Sequence, residues 1–106
     1  MITEWVTEVS TIPVLVKLTP NVTDIRYPAR AAKAANAHGI SLINTINSIM
    51  GVNLDTLKIQ PSIAGKSSHG GLAGPAVKPI ALHMLSQVAG DPKVQLPVSG
   101  MGGISN

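Results

Sequence analysis

The chain has 106 residues, a formal net charge of +3 and 44% hydrophobic residues, which suffices for one domain with a modest core and does not suggest two. It has no cysteine and no phenylalanine, which excludes a disulfide framework, a thiolate metal site and a cysteine nucleophile among these residues, and leaves Val, Ile, Leu, Ala and Met to build the core. The eight Lys and Arg are scattered from Lys17 to Lys93, and Trp5 and Tyr27 are too few for a stacking surface, so nucleic acid is not an expected partner. No apolar run could span a bilayer, and Met1-Ile2-Thr3-Glu4-Trp5 lacks the basic start and apolar block of a signal peptide, so a cytoplasmic location is expected.

Ile2, Trp5, Val6 and Val9 fall at helical spacing behind Thr3, with Glu4 and Glu8 on the other side, and predict a short amphipathic helix. Ser10-Thr11-Ile12 breaks it. Pro13 to Leu18 then reads as a buried strand, with Lys17 near its carboxyl end and a Thr19-Pro20-Asn21 turn beyond. A buried ammonium needs a partner, and at the end of a parallel strand it is placed to meet an anion or a developing negative charge. The ordinary alternative is a lysine that snorkels into water.

Asp24 is a suitable N-cap for a helix with Ile25, Ala29, Ala32 and Ala35 on one face, its first turn distorted by Pro28 and its end closed by Gly39 in the left-handed region. Ile40 to Ile46 predicts a second strand, ending at Asn44 and Thr45. From Asn47 to Gly74 the periodicity disappears and five glycines punctuate a long loop. Pro79 opens a helix bearing Ala81, Met84, Leu85 and Val88, which Gly90 closes. Val94 to Ser99, interrupted by Pro97, predicts a third strand that runs into Gly100-Met101-Gly102-Gly103. Strands alternating with helices imply a parallel sheet with right-handed crossovers. Three strands do not close a barrel, for which about 250 residues are usual, so residues 1–106 are expected to be part of a larger domain.

In a parallel sheet the three strand ends lie together, bringing Lys17, Asn44 with Thr45, and Met101-Gly102-Gly103 to one crevice. A glycine pair after a strand lets backbone N–H groups approach an anion, though an ordinary left-handed turn has the same sequence. Asn44 offers an amide donor and acceptor suited to an imide edge, and it could equally cap a turn. Gly70-Gly71-Leu72-Ala73-Gly74 could let a planar ligand lie on bare backbone or could be a flexible loop. His38, His69 and His83 lack metal-ligand spacing, Ser67-Ser68-His69 lacks the geometry of a nucleophile and its base, and Met50 and Met84 read as core filler.

Lys-Leu-Thr-Pro-Asn at 17–21, Ile-Asn-Thr at 43–45, Met-Gly at 50–51, Gly-Lys at 65–66, Gly-Gly-Leu-Ala-Gly at 70–74, Pro-Ile-Ala-Leu at 79–82 and Gly-Gly-Ile at 102–104 occur in this order. Together they resemble the flavin domain of dihydropyrimidine dehydrogenase, in particular the bacterial NAD-dependent catalytic subunit, from Ile12 onward; class 1 dihydroorotate dehydrogenases share a looser version. The resemblance implies an α/β fold, part of a TIM (β/α)8 barrel with about three parallel strands and flanking helices, belonging to one FMN-binding domain. It implies reduction of the C5–C6 bond of uracil or thymine, with FMN in this domain, and NADH and iron–sulfur clusters supplied by other parts or by an NADH-oxidising partner subunit.

Carried over by motif, Lys17 would contact the flavin ring, Gly74 would pack its backbone near it, Met101, Gly102 and Gly103 would bind its phosphate end, and Asn44 and Thr45 would hold the pyrimidine base. The family's proton donor is a cysteine, which this chain lacks, so no catalytic residue and no metal ligand is assigned within it. The chain alone is expected to show no turnover and weak or absent FMN binding. A dihydroorotate dehydrogenase-like flavoprotein is the alternative enzyme; a phosphate-binding or self-associating half-barrel is the non-catalytic one, and open sheet edges favour a homo-oligomer.

Overall fold

The computed structural model describes residues 2–105. Apolar residues at helical spacing give α1, Ile2–Val9, although none of its residues is buried. The Thr7 hydroxyl donates to the Ala35 carbonyl at 3.0 Å and ties this helix to the rest of the chain. The β-branched run that follows gives β1, Leu15–Leu18, two residues shorter than its sequence suggests. β1 bonds a single neighbour, so it lies at an edge of its sheet and Leu15 and Lys17 are exposed. The expected burial of Lys17 is thereby corrected: an edge strand with one partner leaves this lysine in water.

Helix α2 spans Arg26–Ala34 and buries Ala29 and Ala32. The N-cap position falls on Ile25, one residue later than the sequence suggests, and Asp24 holds the first turn from just outside it: its carboxylate accepts the Arg26 backbone N–H at 2.9 Å and pairs with the Arg26 guanidinium at 2.8 Å. The Arg26 side-chain hydrogen bond, aided by the backbone one, lowers the Asp24 pKa to about 2. The left-handed residue after α2 is Asn36, with φ 59°, and Gly39 is instead the first residue of β2. Gly39 is needed there for closeness, because a Cβ would lie 3.2 Å from the Pro97 carbonyl oxygen and 3.3 Å from Leu15 Cγ.

β2, Gly39–Leu42, is buried at all four positions, as a central parallel strand covered on both faces should be. It ends before Asn44 and Thr45; the Leu42–Ile43 and Gln60–Pro61 peptides are cis. The stretch expected as a long loop instead folds into an antiparallel arm. β3 (Ile46–Ser48) pairs with β8 (Gly70–Leu72), β4 (Gly51–Asn53) with β5 (Lys58–Gln60), and β6 (Ser62–Ile63) with β7 (Lys66–Ser67). Ala64 and Gly65, both at positive φ, make the two-residue turn between β6 and β7. Met50 is exposed on this arm and is no core residue. The arm explains a radius of gyration of 16.8 Å, against about 13 Å for a compact chain of this length.

A 3-10 turn, Pro75–Val77, leads into α3, Lys78–Ala89, with Pro79 in its first turn and Ala81 and Val88 buried. The last strand, β9, covers only Val98–Gly100. Pro97 cannot donate to a ladder and Gln95 has φ 46°, so Val94 enters the core from a turn and not from a strand. β1, β2 and β9 form one parallel sheet in the order β1-β2-β9, with Lys17 opposite Ser41 and Ser41 opposite Ser99. The architecture is a mixed α/β fold of three parallel strands with three helices. Ile25, Ala29, Ile40, Leu42, Ala81, Val88 and Val94 are at the centre of its aliphatic core.

The buried Asp91 fastens α2 to the loop after α3. Its carboxylate accepts Arg30 Nε at 2.7 Å and the Lys93 backbone N–H at 2.9 Å, and these bonds, the backbone one first, hold its pKa below the ordinary value.

Candidate active site

Parallel register sets the site. Leu18, Leu42 and Gly100 are lateral neighbours, so the three strands exit on one side of the sheet. Beyond Gly100 the ladder continues irregularly: Met101 N–H donates to the Leu42 carbonyl at 2.8 Å, Ile43 N–H to Met101 at 3.1 Å, and Asn44 N–H to Leu18 at 2.9 Å. These bonds draw the three exit segments around a cavity of about 260 Å³. Lys17, Asn44, Thr45, Gly74, Met101, Gly102 and Gly103 all line it, together with Ile43, Leu72, Ala73 and Val77. The side chains singled out from sequence are therefore brought together, and those of the arm's end, Leu72 and Ala73, join them.

Among the described residues, Lys17 is the only charged one lining the cavity, and it makes no ion pair with any of them. An exposed ammonium at the mouth of an otherwise uncharged cavity supplies a positive field for an anionic ligand. Lys17, Ser41 and Ser99 lie in one row across the sheet, so their side chains share a face, opposite the one formed by Leu18, Leu42 and Gly100. Ser41 is buried, and its hydroxyl contacts Met101 Sδ at 3.7 Å, which turns the methionine toward this row. Sequence patterning did not single out Ser41 or Ser99, since only the register shows that they align with the lysine.

The glycines are required by conformation and by closeness. Gly74 has φ 83° and ψ −164°, a region essentially closed to other residues. Gly103 has φ 67°, and a Cβ on it would stand 2.8 Å from the Gly74 carbonyl carbon and from Pro75 Cα, closer still to the Gly74 oxygen. Gly102, at φ 120°, packs against Ala81, Ile43 and Val77. Two glycine segments distant in sequence thus meet backbone to backbone at the cavity wall. This bare surface fits the planar, anionic group expected from the resemblance: open backbone for a ring, glycine N–H groups for a phosphate and one lysine for the charge.

Where the sequence places the pyrimidine-binding pair, the Asn44 carboxamide oxygen accepts the Thr45 N–H at 2.9 Å, so that oxygen is partly used. The Thr45 side chain lies against Gly71, where any Cβ would overlap it. In Ser67-Ser68-His69 the Ser68 hydroxyl donates to the His69 carbonyl and not to a ring nitrogen, which leaves no nucleophile–base pair there.

A ligand crevice at the carboxyl ends of parallel strands defines an α/β protein of the kind that binds its ligands outside the strand ends. The model of the dihydroorotate dehydrogenase family matches residues 1–106, and the chain belongs to that family. It is 49% identical over 105 residues to the catalytic subunit of dihydroorotate dehydrogenase B (NAD+) of Malacoplasma penetrans, covering 99% of this chain and 32% of the relative. Its identity to the protein of the same description from Caldicellulosiruptor saccharolyticus is 50% over 105 residues, covering 99% and 33%. The chloroplastic dihydropyrimidine dehydrogenase (NADP+) of Arabidopsis thaliana is 40% identical over 104 residues, covering 94% and 24%.

The chain thus spans about a third or less of the length of these curated relatives. The expected resemblance to dihydropyrimidine dehydrogenase holds at the level of an oxidoreductase family, and the higher identities favour the alternative, dihydroorotate dehydrogenase. No helix of the described residues is long and apolar enough to cross a membrane.

Proposed function

We propose that this chain carries the flavin- and pyrimidine-binding strand ends of an NAD-linked dihydroorotate dehydrogenase, within a (β/α)8 barrel domain. The observation that supports this most is the convergence of Lys17, Asn44, Thr45, Gly74 and Met101 to Gly103 on one cavity whose only charge among the described residues is positive. Bound FMN would supply hydride acceptance. The residues of the chain would supply the setting: Lys17 would place a positive charge beside the flavin ring, and the backbone of Gly74 would let the ring approach closely. Gly102 and Gly103 would present backbone N–H groups to the phosphate, while Met101, whose own N–H is taken by the Leu42 carbonyl, fixes the start of that turn. Asn44 and Thr45 orient the pyrimidine so that its C5–C6 bond faces the ring. Oxidation of that bond releases a hydride and a proton; with no cysteine in the chain, the proton acceptor lies outside these residues. A partner subunit would link the site to NAD+, and the protein would work as a homo-oligomer in the cytoplasm.

The positive cavity distinguishes the two pyrimidine chemistries, because orotate is an anion and uracil is neutral. Competition binding on the flavin-loaded protein tests the assignment. Orotate should bind more tightly than uracil, with a preference that shrinks as salt is raised. A uracil preference would return the chain to the dihydropyrimidine dehydrogenase side of the family.

A further inference from the structure

We infer that Asn21, in the turn after β1, is the positioning residue for the pyrimidine-binding pair Asn44–Thr45, an inference that rests on the assignment of those two residues to the substrate. Strand β2 stops at Leu42, so the segment that carries Asn44 and Thr45 has left the sheet and needs another anchor. The Leu18 carbonyl provides one by accepting the Asn44 N–H. The Asn21 carboxamide provides the other. Its Nδ2 donates to the Thr45 carbonyl at 3.0 Å, and its Oδ1 accepts the Asn47 N–H at 2.9 Å.

Those two partners flank Ile46, and in a parallel ladder the N–H and C=O of one residue bond its neighbour in the same way, to the carbonyl before and the N–H after the facing residue. The side-chain amide therefore takes the place of a strand that β1 no longer provides. Only one orientation of the amide serves both partners, since Thr45 needs a donor and Asn47 an acceptor. Nδ2 also donates to Thr19 Oγ1 at 3.0 Å, while the same hydroxyl accepts the Asn21 backbone N–H at 3.2 Å, so the side chain is held on its own turn before it reaches across. Asn21 thus sets where Thr45 points, and with it the gap between Asn44 and the arm strand β8, without lining the cavity.

A merely structural asparagine would change the whole site when removed; a positioning one should change the pyrimidine half and spare the flavin half, which is built on Lys17, Gly74 and the terminal glycines. The test compares Asn21→Ala, Asn21→Asp and Asn44→Ala in the flavin-loaded full chain, reading FMN affinity, orotate affinity and amide hydrogen exchange at Asn47. In Asn21→Ala the Asn47 amide should exchange faster and orotate should bind roughly tenfold more weakly, while FMN affinity is unchanged. Asn21→Asp keeps the acceptor for Asn47 but sets an oxygen against the Thr45 carbonyl, so it should retain protection at Asn47 and still weaken orotate. Orotate affinity that falls in Asn44→Ala but not in either Asn21 variant would overturn the inference and leave the site assignment standing. No effect in Asn44→Ala would remove the assignment and the inference together. Parallel loss of FMN and orotate in Asn21→Ala would show a general structural role and refute the positioning one.

Discussion

Gly103→Ala probes the place where the terminal glycine turn meets the Gly74–Pro75 backbone. An alanine at φ 67° carries the left-handed penalty of about 1–2 kcal/mol. Its Cβ would also lie 2.8 Å from Gly74 C and Pro75 Cα, and bringing these to the 3.4 Å at which ordinary contact begins requires one backbone to retreat by at least 0.6 Å. Neither side is a flexible side-chain end, so the overpacking adds about 1–3 kcal/mol, and the total is about 2–5 kcal/mol. Gly65→Ala is the internal control: φ there is 76° but a Cβ meets nothing within 4 Å, so only the left-handed term of about 1–2 kcal/mol applies. Urea unfolding of both variants, compared at equal m, reads the difference, and FMN titration reads the consequence for the site. Gly103→Ala should be the less stable of the two and should lose the flavin affinity that Gly65→Ala keeps. Equal midpoints would refute the close backbone approach.

Lys17→Met should leave stability nearly unchanged, because the side chain is exposed on an edge strand, yet weaken FMN by about ten- to a hundredfold, the effect of one charge-assisted hydrogen bond; unchanged affinity in a fluorescence titration would remove the lysine from the site. Leu42→Ala empties a fully buried position of the central strand and should lower the unfolding free energy by about 2–5 kcal/mol in a urea titration, and a loss under about 1 kcal/mol would contradict the burial. Asp91 has a pKa below its ordinary value in the fold, so its contribution is fully present above the unfolded value of about 3.9 and is lost as pH falls through the folded one. Asp91→Asn should therefore be less stable than the parent at neutral pH and lose less stability on acidification; identical pH profiles would show that the Arg30 and Lys93 bonds carry no linkage.

The elements legible in the sequence were those with enough length to show a period. The alanine face of α2 and the apolar face of α3 each run for about nine residues or more, and each lies where its spacing places it. The convergence of Lys17, Asn44 and the terminal glycines was also legible, because parallel strands joined by helices leave no other arrangement of their ends. The arm was not: its strands are two or three residues long, too short for alternation to register, and Ala64-Gly65 makes a two-residue turn without the usual asparagine. Pro97 moved the start of β9, and Gly39 proved to be a residue of close strand packing, which a helix-stop pattern cannot reveal. Asp91 drew no notice in the sequence because its partner, Arg30, is far away along the chain. Asn21 was equally hidden: its role depends on β2 ending at Leu42, four residues before the apolar run does.

The central claim is that the carboxyl ends of β1, β2 and β9 form one flavin-binding surface. Amide chemical-shift mapping of the isotope-labelled chain during titration with FMN addresses it residue by residue and registers weak binding as well as tight binding. The largest changes should fall at Gly74 and at Met101 to Gly103, with the Lys17 side chain responding and the groove between α1 and α2 silent. Changes centred on that groove, which Ile2, Thr3, Pro28, Ala31 and Ala35 line, with the glycine segments unmoved, would contradict the account.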